Sequence, residues 1–163
     1  MSKIVSWDTL KGMVEDLHAQ GKKVAITNGC FDILHVGHIR YLREAKKQGD
    51  ILILALNSDK SVQAIKGPKR PIVPQEERAD LLAALESVDY VTIFEEPTPA
   101  ALIDYIQPDI LVKGGDWEAE QLAGRETVRS RGGHVAIIPT VPGASTTNII
   151  DKIRSVYGDE PEE

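Results

Sequence analysis

The stretch KVAITNGCFDILHVGHIRYLREAKKQGDILILAL, residues 23–56, predicts a strand, a helix and a second strand in succession. Its ends, KVAIT and ILILAL, are short apolar runs typical of buried strands. Apolar residues recur at helical spacing within residues 36–48, at Val36, Ile39, Leu42 and Ala45. Gly49 then supplies a helix stop. Strands apolar along their whole length belong to parallel sheets that helices cover on both faces.

The same alternation continues along the rest of the chain. We predict helices at 7–20, 75–86, 98–106, 125–131 and 145 to about 157, and strands at 90–94, 109–113 and 134–139. The expected architecture is a single α/β domain, a doubly wound, Rossmann-like parallel sheet over residues 1–163. We divide it into an N-terminal helix at 1–21, a core at 22–157 and a disordered acidic tail at 158–163.

Composition limits the classes of protein to consider. The chain has 163 residues, of which 42% are hydrophobic, enough for one buried core. A formal net charge of −6 argues against a general nucleic-acid binder, because such proteins need basic surfaces. We find no membrane span and no signal peptide, so we expect a cytoplasmic protein. Cys30 is the only cysteine, which excludes an internal disulfide.

Asp32, His35 and His38 lie close together between the first strand and the next helix. Three interpretations compete: a zinc pair with Asp32 as a third ligand, ordinary packing, and a phosphate site. Zinc needs three or four ligands, and neither Cys30 nor His134 has metal-ligand spacing with the pair. Backbone N–H groups at a helix start attract anions, and Gly29 gives the preceding turn freedom. The pattern therefore favours phosphate binding.

Two other segments fit the same chemistry. GASTTNII, residues 143–150, predicts a helix start that Ser145 or Thr146 caps, with hydroxyls facing phosphates; a plain helix cap is the alternative. IKGPKRPIVPQEER, residues 65–78, offers cations in an ordered lid, where a solvated surface loop is the alternative.

The segment GCFDILHVGH, residues 29–38, resembles the G-x-F-D-x-x-H-x-G-H signature of the cytidylyltransferase-like nucleotidyltransferases. GASTTNII is similar to a second element of that family, G-x-S-T-T-x-I. The resemblance implies a Rossmann-like fold and transfer of a nucleoside monophosphate from a triphosphate to a phosphorylated acceptor, with release of pyrophosphate. It also implies that His35 and His38 contact the triphosphate.

Residues 22 to 155 more narrowly resemble the heptose-1-phosphate adenylyltransferases, through NSDKSVQAIKG, RPIVPQEER, PDILVKGGDW and STTNIIDKIR. This implies ATP and a heptose 1-phosphate as substrates, and ADP-heptose for the lipopolysaccharide core as product. Related glycerol-phosphate cytidylyltransferases have an arginine in place of Thr140, so a cytidylyltransferase acting on glycerol 3-phosphate is the alternative. A non-catalytic nucleotide sensor is the alternative of another class.

The resemblance and the positions together imply three sets of site residues. The catalytic set is His35, His38 and Lys69. The nucleotide-binding set is Gly29, Cys30, Phe31, Asp32, Gly37, Lys66, Arg78, Gly114, Asp116, Thr140, Ser145, Thr146 and Thr147. The acceptor set is Asn57, Asp59, Arg70 and Trp117.

The attacking phosphate is already anionic, so the chemistry needs no base and no Cys30 nucleophile. Asp32 then orients the turn or a bound group, or serves only as a structural turn residue. We expect Mg²⁺ to be carried by the triphosphate, with no protein metal site. In the narrower group a sugar kinase is often fused to this domain, so we expect a separate upstream heptose kinase here. We also expect a homo-oligomer, a dimer or a tetramer, with no nucleic-acid or membrane partner.

Overall fold

The sheet has five parallel strands in the order β3-β2-β1-β4-β5. The strands of this computed structural model, which describes residues 2–115 and 117–158, are β1 (Val24–Gly29), β2 (Ile51–Asn57), β3 (Tyr90–Phe94), β4 (Ile110–Gly114) and β5 (His134–Ile138). All five were predicted, and the doubly wound α/β class is confirmed. The predicted tail at 158–163 and Asp116 lie outside the described residues, apart from Gly158.

Seven α-helices connect and flank these strands in the described part of the chain. They are α1 (Trp7–Ala19), α2 (Val36–Lys46), α3 (Asp59–Lys66), α4 (Gln75–Ala83), α5 (Ala100–Ile106), α6 (Arg125–Ser130) and α7 (Thr146–Tyr157); a 3₁₀ turn spans Ala119–Gln121. We predicted six of them, with ends that differ by one to three residues. Within residues 2–115 and 117–158, no helix combines the length and the apolar character that a membrane crossing requires.

Helix α3 was missed, because we assigned its last residues to a loop. It is eight residues long, and its periodic signal is weak, since Val62 is its only fully buried large apolar side chain. Its start is set by Ser58, whose hydroxyl accepts a hydrogen bond from the amide of Ser61. The helix places Lys66 at its carboxyl end, so the miss affects the site.

Alternating strand residues build two cores on opposite faces of the sheet. Leu52 and Leu54 pack on the face covered by α2 and α4. Ile53 and Ala55 pack on the other face, with Leu10 of α1 and helices α5 and α6. Burial on both faces explains why the strands are apolar along their length.

The strand order reverses between β1 and β4, which are hydrogen-bonded neighbours in the centre of the sheet. From β1 the chain passes through α2 to β2 on one side, and it returns through α5 to β4 on the other. Ligands of such sheets bind in the crevice at this reversal, outside the carboxyl ends of the strands. Here those ends are Gly29 and Gly114.

Candidate active site

A cavity of about 330 Å³, the first cavity, opens at this strand reversal. Its walls come from the end of β1, the start of α2, the end of β4 and the start of α7. It brings together thirteen residues that we predicted for the site: Gly29, Phe31, Asp32, His35, Gly37, His38, Lys66, Arg70, Gly114, Thr140, Ser145, Thr146 and Thr147. The segments 29–38 and 143–150, more than 100 residues apart in sequence, therefore meet at one cavity, as their two motifs imply.

The two histidines form a stacked pair at the start of α2. Their ring centroids are 3.8 Å apart, at an interplanar angle of 22°. His35 is the N-cap of the helix, and its Nδ1 accepts a hydrogen bond from the Gly37 amide at 3.1 Å. The neutral ring of His35 must therefore carry its proton on Nε2. Nδ1 of His38 is buried and has no hydrogen-bond partner within residues 2–115 and 117–158.

Both imidazoles are neutral near pH 7. Burial lowers the pKa of His38 to about 4, and the neighbouring His35 acts in the same direction. Burial also lowers the pKa of His35. A neutral imidazole has one N–H donor, so each ring can donate a hydrogen bond to a phosphate oxygen without first being protonated.

Gly37 lets α2 approach the loop that precedes α7. A Cβ on Gly37 would lie 2.9 Å from Nδ1 of His35 and 3.0 Å from the Cβ of Ala144. Both separations are too short for a side chain to fit without movement. The glycine between the histidines therefore permits the His35 ring and the Ala144 loop to close against the helix.

The turn after β1 takes its unusual backbone at Phe31. Phe31 has φ of +44°, in the left-handed region that non-glycine residues seldom adopt. We expected this freedom at Gly29, and that was wrong: Gly29 is the last residue of β1 and has no positive φ. Gly29 is needed for space, because a Cβ there would lie 2.8 Å from the Phe31 ring.

The start of α7 forms the opposite wall of the first cavity. Ser145 caps this helix, accepting a hydrogen bond from the Asn148 amide at 3.0 Å. Thr146 donates its hydroxyl to the carbonyl of Ile33 at 3.3 Å and so ties α7 to the turn before α2. Two helix N-termini thus border one cavity, and both favour an anion there.

Asp32 anchors the loop at residues 67–74. Its buried carboxylate accepts hydrogen bonds from Arg70 Nε at 2.6 Å, from the Ile72 amide at 2.9 Å and from the Val73 amide at 2.8 Å. Burial alone would raise the pKa of Asp32, but these donors outweigh it, so the pKa lies below its usual value. Of the roles that we considered, orienting the turn fits this geometry. Arg70, which we predicted to bind the acceptor, lines the first cavity instead.

Arg78 is a structural brace, which corrects its predicted contact with the nucleotide. The side chain is fully buried. It donates to the carbonyls of Cys30, Asn57 and Val73 at 2.6, 2.9 and 2.9 Å and to the Asp59 carboxylate at 2.8 Å. The guanidinium is therefore enclosed by protein acceptors, away from the first cavity. Asp59, predicted to bind the acceptor, pairs with Arg78 and lines neither of the two cavities at this edge of the sheet, which corrects that prediction.

The lysines of this region divide differently from our prediction. Lys66, at the end of α3, lines the first cavity. Lys69 is exposed and lines neither the first cavity nor the second cavity that adjoins it. Its place in the catalytic set is therefore not supported, because the anchored loop carries it outward.

A second cavity of about 380 Å³ adjoins the first. Asn57 and Trp117, predicted for the acceptor, both line it. Cys30 also lines this cavity rather than the first one, which corrects its predicted contact with the nucleotide. Burial raises the pKa of the Cys30 thiol, so it is protonated at neutral pH.

Two residues of the site were missed by sequence reasoning. Lys113 of β4 lines both cavities. The Tyr41 hydroxyl lies 2.5 Å from the hydroxyl of Thr27 and donates to the Val112 carbonyl at 3.3 Å, which fixes α2 against β1 and β4. The available signal for Lys113 was a charged residue at the end of an otherwise apolar strand.

Among residues 2–115 and 117–158, no group of three or more His, Cys, Asp or Glu side chains is placed to hold a metal ion. Asp32, the third ligand considered for zinc, is already held by Arg70 and the loop amides. The geometry described here favours the anion site over the zinc pair.

The chain is similar to known proteins over nearly its whole length. The family model Cytidylyltransferase-like matches residues 26–152. The Bifunctional protein HldE of Geobacter metallireducens is 54% identical over 98% of this chain and 32% of the relative, and that of Geobacter sulfurreducens is 52% identical over the same shares. The chain thus spans about a third of the length of these relatives.

Two solved structures share the fold. The lipopolysaccharide core biosynthesis protein from Thermoplasma volcanium is 30% identical, with a TM-score of 0.60 over 74% of this chain and 98% of that one. Pantothenate synthetase from Thermus thermophilus shares the fold alone, at 18% identity, with a TM-score of 0.58 over 90% of this chain and 66% of that one. On its match to the family model and its signature histidines, this chain belongs to the cytidylyltransferase-like family.

Proposed function

We propose that the chain transfers AMP from ATP to a heptose 1-phosphate, giving ADP-heptose and pyrophosphate. The observation that carries this proposal is the stacked pair of neutral histidines between two helix N-termini, in a cavity at the strand reversal. The similarity to HldE over 98% of the chain, and to a lipopolysaccharide core biosynthesis protein, supports the choice of reaction and acceptor.

The chemistry proceeds without a protein nucleophile. A phosphate oxygen of the heptose 1-phosphate forms a bond to the α-phosphorus of ATP, while the bond from that phosphorus to the bridging oxygen breaks. The electron pair leaves with pyrophosphate. His35 Nε2 and His38 donate hydrogen bonds to the triphosphate, and the amides at the starts of α2 and α7 face its remaining charge. Catalysis then rests on positioning and charge neutralisation.

We propose that Mg²⁺ enters with the triphosphate. Asp32 is the one carboxylate that lines the first cavity within residues 2–115 and 117–158, and three donors already occupy it. Phosphate oxygens are therefore the ligands that suit the ion. When bound, Mg²⁺ neutralises part of the triphosphate charge.

We propose ATP rather than CTP as the donor because of Thr140. Thr140 lines the first cavity, and its methyl group lies 3.5 Å from the position of a Cβ on Gly115. Gly115 has φ of +95°, which suits glycine. Threonine at position 140 leaves more of the first cavity free than an arginine there would, which favours the larger purine base.

Pyrophosphate release tests this proposal directly. The protein is incubated with Mg²⁺ and ATP or CTP, together with heptose 1-phosphate, other sugar 1-phosphates or glycerol 3-phosphate. We expect release with ATP and heptose 1-phosphate. ATP binding without release for any acceptor would support a nucleotide sensor, and release with CTP and glycerol 3-phosphate would support a cytidylyltransferase; either result would contradict the proposal.

A further inference from the structure

The first and second cavities meet at the carboxyl end of β1. Four residues line both of them: Asn28, Gly29, Lys66 and Lys113. The junction thus has a backbone floor from β1, with one lysine from α3 and one from β4. These two lysines therefore lie where the cavities adjoin.

Lys113 is held at the junction by a backbone carbonyl and an aromatic ring. Its Nζ lies 3.4 Å from the carbonyl of Asn28 and 5.6 Å from the centre of the Trp117 ring. Arg70 and Arg78 are each paired with a carboxylate, whereas no carboxylate lies within 4.0 Å of the Lys113 ammonium in the described ranges, 2–115 and 117–158. Burial lowers the pKa of Lys113, and the Lys66 charge acts in the same direction.

An anion at the junction would counter both causes of the lowered Lys113 pKa, burial and the nearby Lys66 charge. It would place an opposite charge beside the partly buried Lys113 ammonium, and its attraction to both lysines would offset the repulsion between Lys66 and Lys113. The proposed reaction needs such a place, because it brings the anionic phosphate of the acceptor against the anionic α-phosphate of ATP. If the two substrates occupy the two cavities, these phosphates approach each other at the junction.

The second cavity also suits a sugar. Asn57, Gln121 and Thr98 line it with amide and hydroxyl groups that can pair with sugar hydroxyls. Trp117 contributes an aromatic ring, half exposed, against which the apolar face of a sugar ring can pack. A volume of about 380 Å³ is within the range of small-molecule sites.

We propose that the second cavity binds the acceptor sugar and that Lys113 binds the acceptor's phosphate at the junction with the first cavity. This assignment rests on the proposed function, since it names where its second substrate lies. It gives a role in phosphate binding to a residue outside the two family motifs.

The test compares Lys113→Met, which keeps the side-chain length and removes the charge, with Lys113→Arg and with Lys60→Met. Lys60 is exposed on α3 and lines neither cavity. We expect Lys113→Met to raise the KM for heptose 1-phosphate by about tenfold or more, as for a lost charge-assisted hydrogen bond, with the KM for ATP changed by less than about twofold. Lys113→Arg should recover part of the loss, and Lys60→Met should match the wild type.

An unchanged acceptor KM in Lys113→Met, or an equal rise in the KM for ATP, would overturn the assignment. Circular dichroism of each variant establishes that it is folded, and Lys113→Gln, which also removes the charge, replaces Lys113→Met if that variant does not fold.

Equilibrium binding separates this assignment from the proposed function. The wild-type protein is saturated with α,β-methylene-ATP and titrated with heptose 1-phosphate, and tryptophan fluorescence is followed. We expect a change that Trp117→Phe abolishes and that Lys113→Met shifts to about tenfold higher concentration. If the wild type releases no pyrophosphate, the proposed function fails, but this titration still tests where heptose 1-phosphate binds. The assignment is overturned if the wild type gives no fluorescence change, or if Lys113→Met leaves the change unaffected.

Discussion

Arg70 donates from Nε to the Asp32 carboxylate at 2.6 Å, and this pair fastens the loop at 67–74 to the turn after β1. The Ile72 and Val73 amides donate to the same carboxylate. One buried side chain therefore determines where the Arg70 guanidinium lies at the rim of the first cavity. Asp32 therefore positions the Arg70 guanidinium and does not itself react.

Asp32→Asn should destabilise the fold by about 3 kcal/mol, because it leaves Arg70 without its carboxylate partner in a largely buried pair. Urea unfolding at pH 7 measures this, with the exposed Asp80→Asn as the matched control. The pKa of Asp32 is below its usual value, so the contribution of this carboxylate should be complete above about pH 4 and be lost as pH falls through its folded-state pKa. Equal stability of the two variants would contradict the anchoring role.

His38→Ala should lower turnover by at least about 100-fold while the protein stays folded, because it removes a preorganised donor to developing negative charge. The measurement is the rate of pyrophosphate release at saturating substrates. His134→Ala, at an exposed position that begins β5, is the control and should leave the rate unchanged. Near-normal turnover in His38→Ala would remove this residue from the catalytic set.

The pKa of His38 should rise when a triphosphate binds. In the free protein burial holds it at about 4, since the charged ring would lack solvation. A nearby anion stabilises the protonated ring, so the protein should take up a proton on binding ATP at mildly acidic pH. NMR titration of the imidazole resonances with and without α,β-methylene-ATP measures both values. The same pKa in the two states would place the phosphates elsewhere.

Lys66 and Lys69 should differ in their effect on the nucleotide. Lys66→Met should raise the KM for ATP by about fivefold or more, because its ammonium lines the first cavity. Lys69→Met should change it by less than about twofold, because Lys69 lines neither cavity. The opposite ranking would mean that the loop at 67–74 rearranges when ATP binds.

Much of the fold was predictable because its signals are local. Each strand is an unbroken apolar run, and each long helix has a stop signal or a periodic apolar face. Helix α3 was missed since eight residues with one fully buried large apolar side chain carry almost no periodicity. The histidines and the start of α7 line one cavity, and sequence could associate them because both carry family motifs at strand ends.

The cations were harder to assign, because their roles depend on tertiary contacts. The sequence around Arg78 gives no sign that its guanidinium would be enclosed by the carbonyls of Cys30 and Asn57. Lys113 appears as one charged residue in a strand, and its significance depends on β4 lying next to β1. Charge type follows from sequence, whereas the partner of each charge follows from the fold.

Nucleotide choice offers the sharpest test of Thr140. If its small side chain leaves space for a purine, kcat/KM should favour ATP over CTP by about 100-fold or more, on the order of 3 kcal/mol of differential transition-state binding. Thr140→Arg should erode this preference, because the guanidinium would occupy part of the first cavity and could donate two hydrogen bonds to acceptors on a cytosine ring. Thr140→Val keeps the side-chain volume and removes the hydroxyl, so it separates the effect of side-chain size on nucleotide choice from that of hydrogen bonding. We expect this variant to retain the ATP preference. Competition of ATP and CTP for one pool of heptose 1-phosphate gives the ratio directly. Equal use of the two nucleotides by the wild type, or a ratio that Thr140→Arg does not change, would show that residue 140 does not select the base.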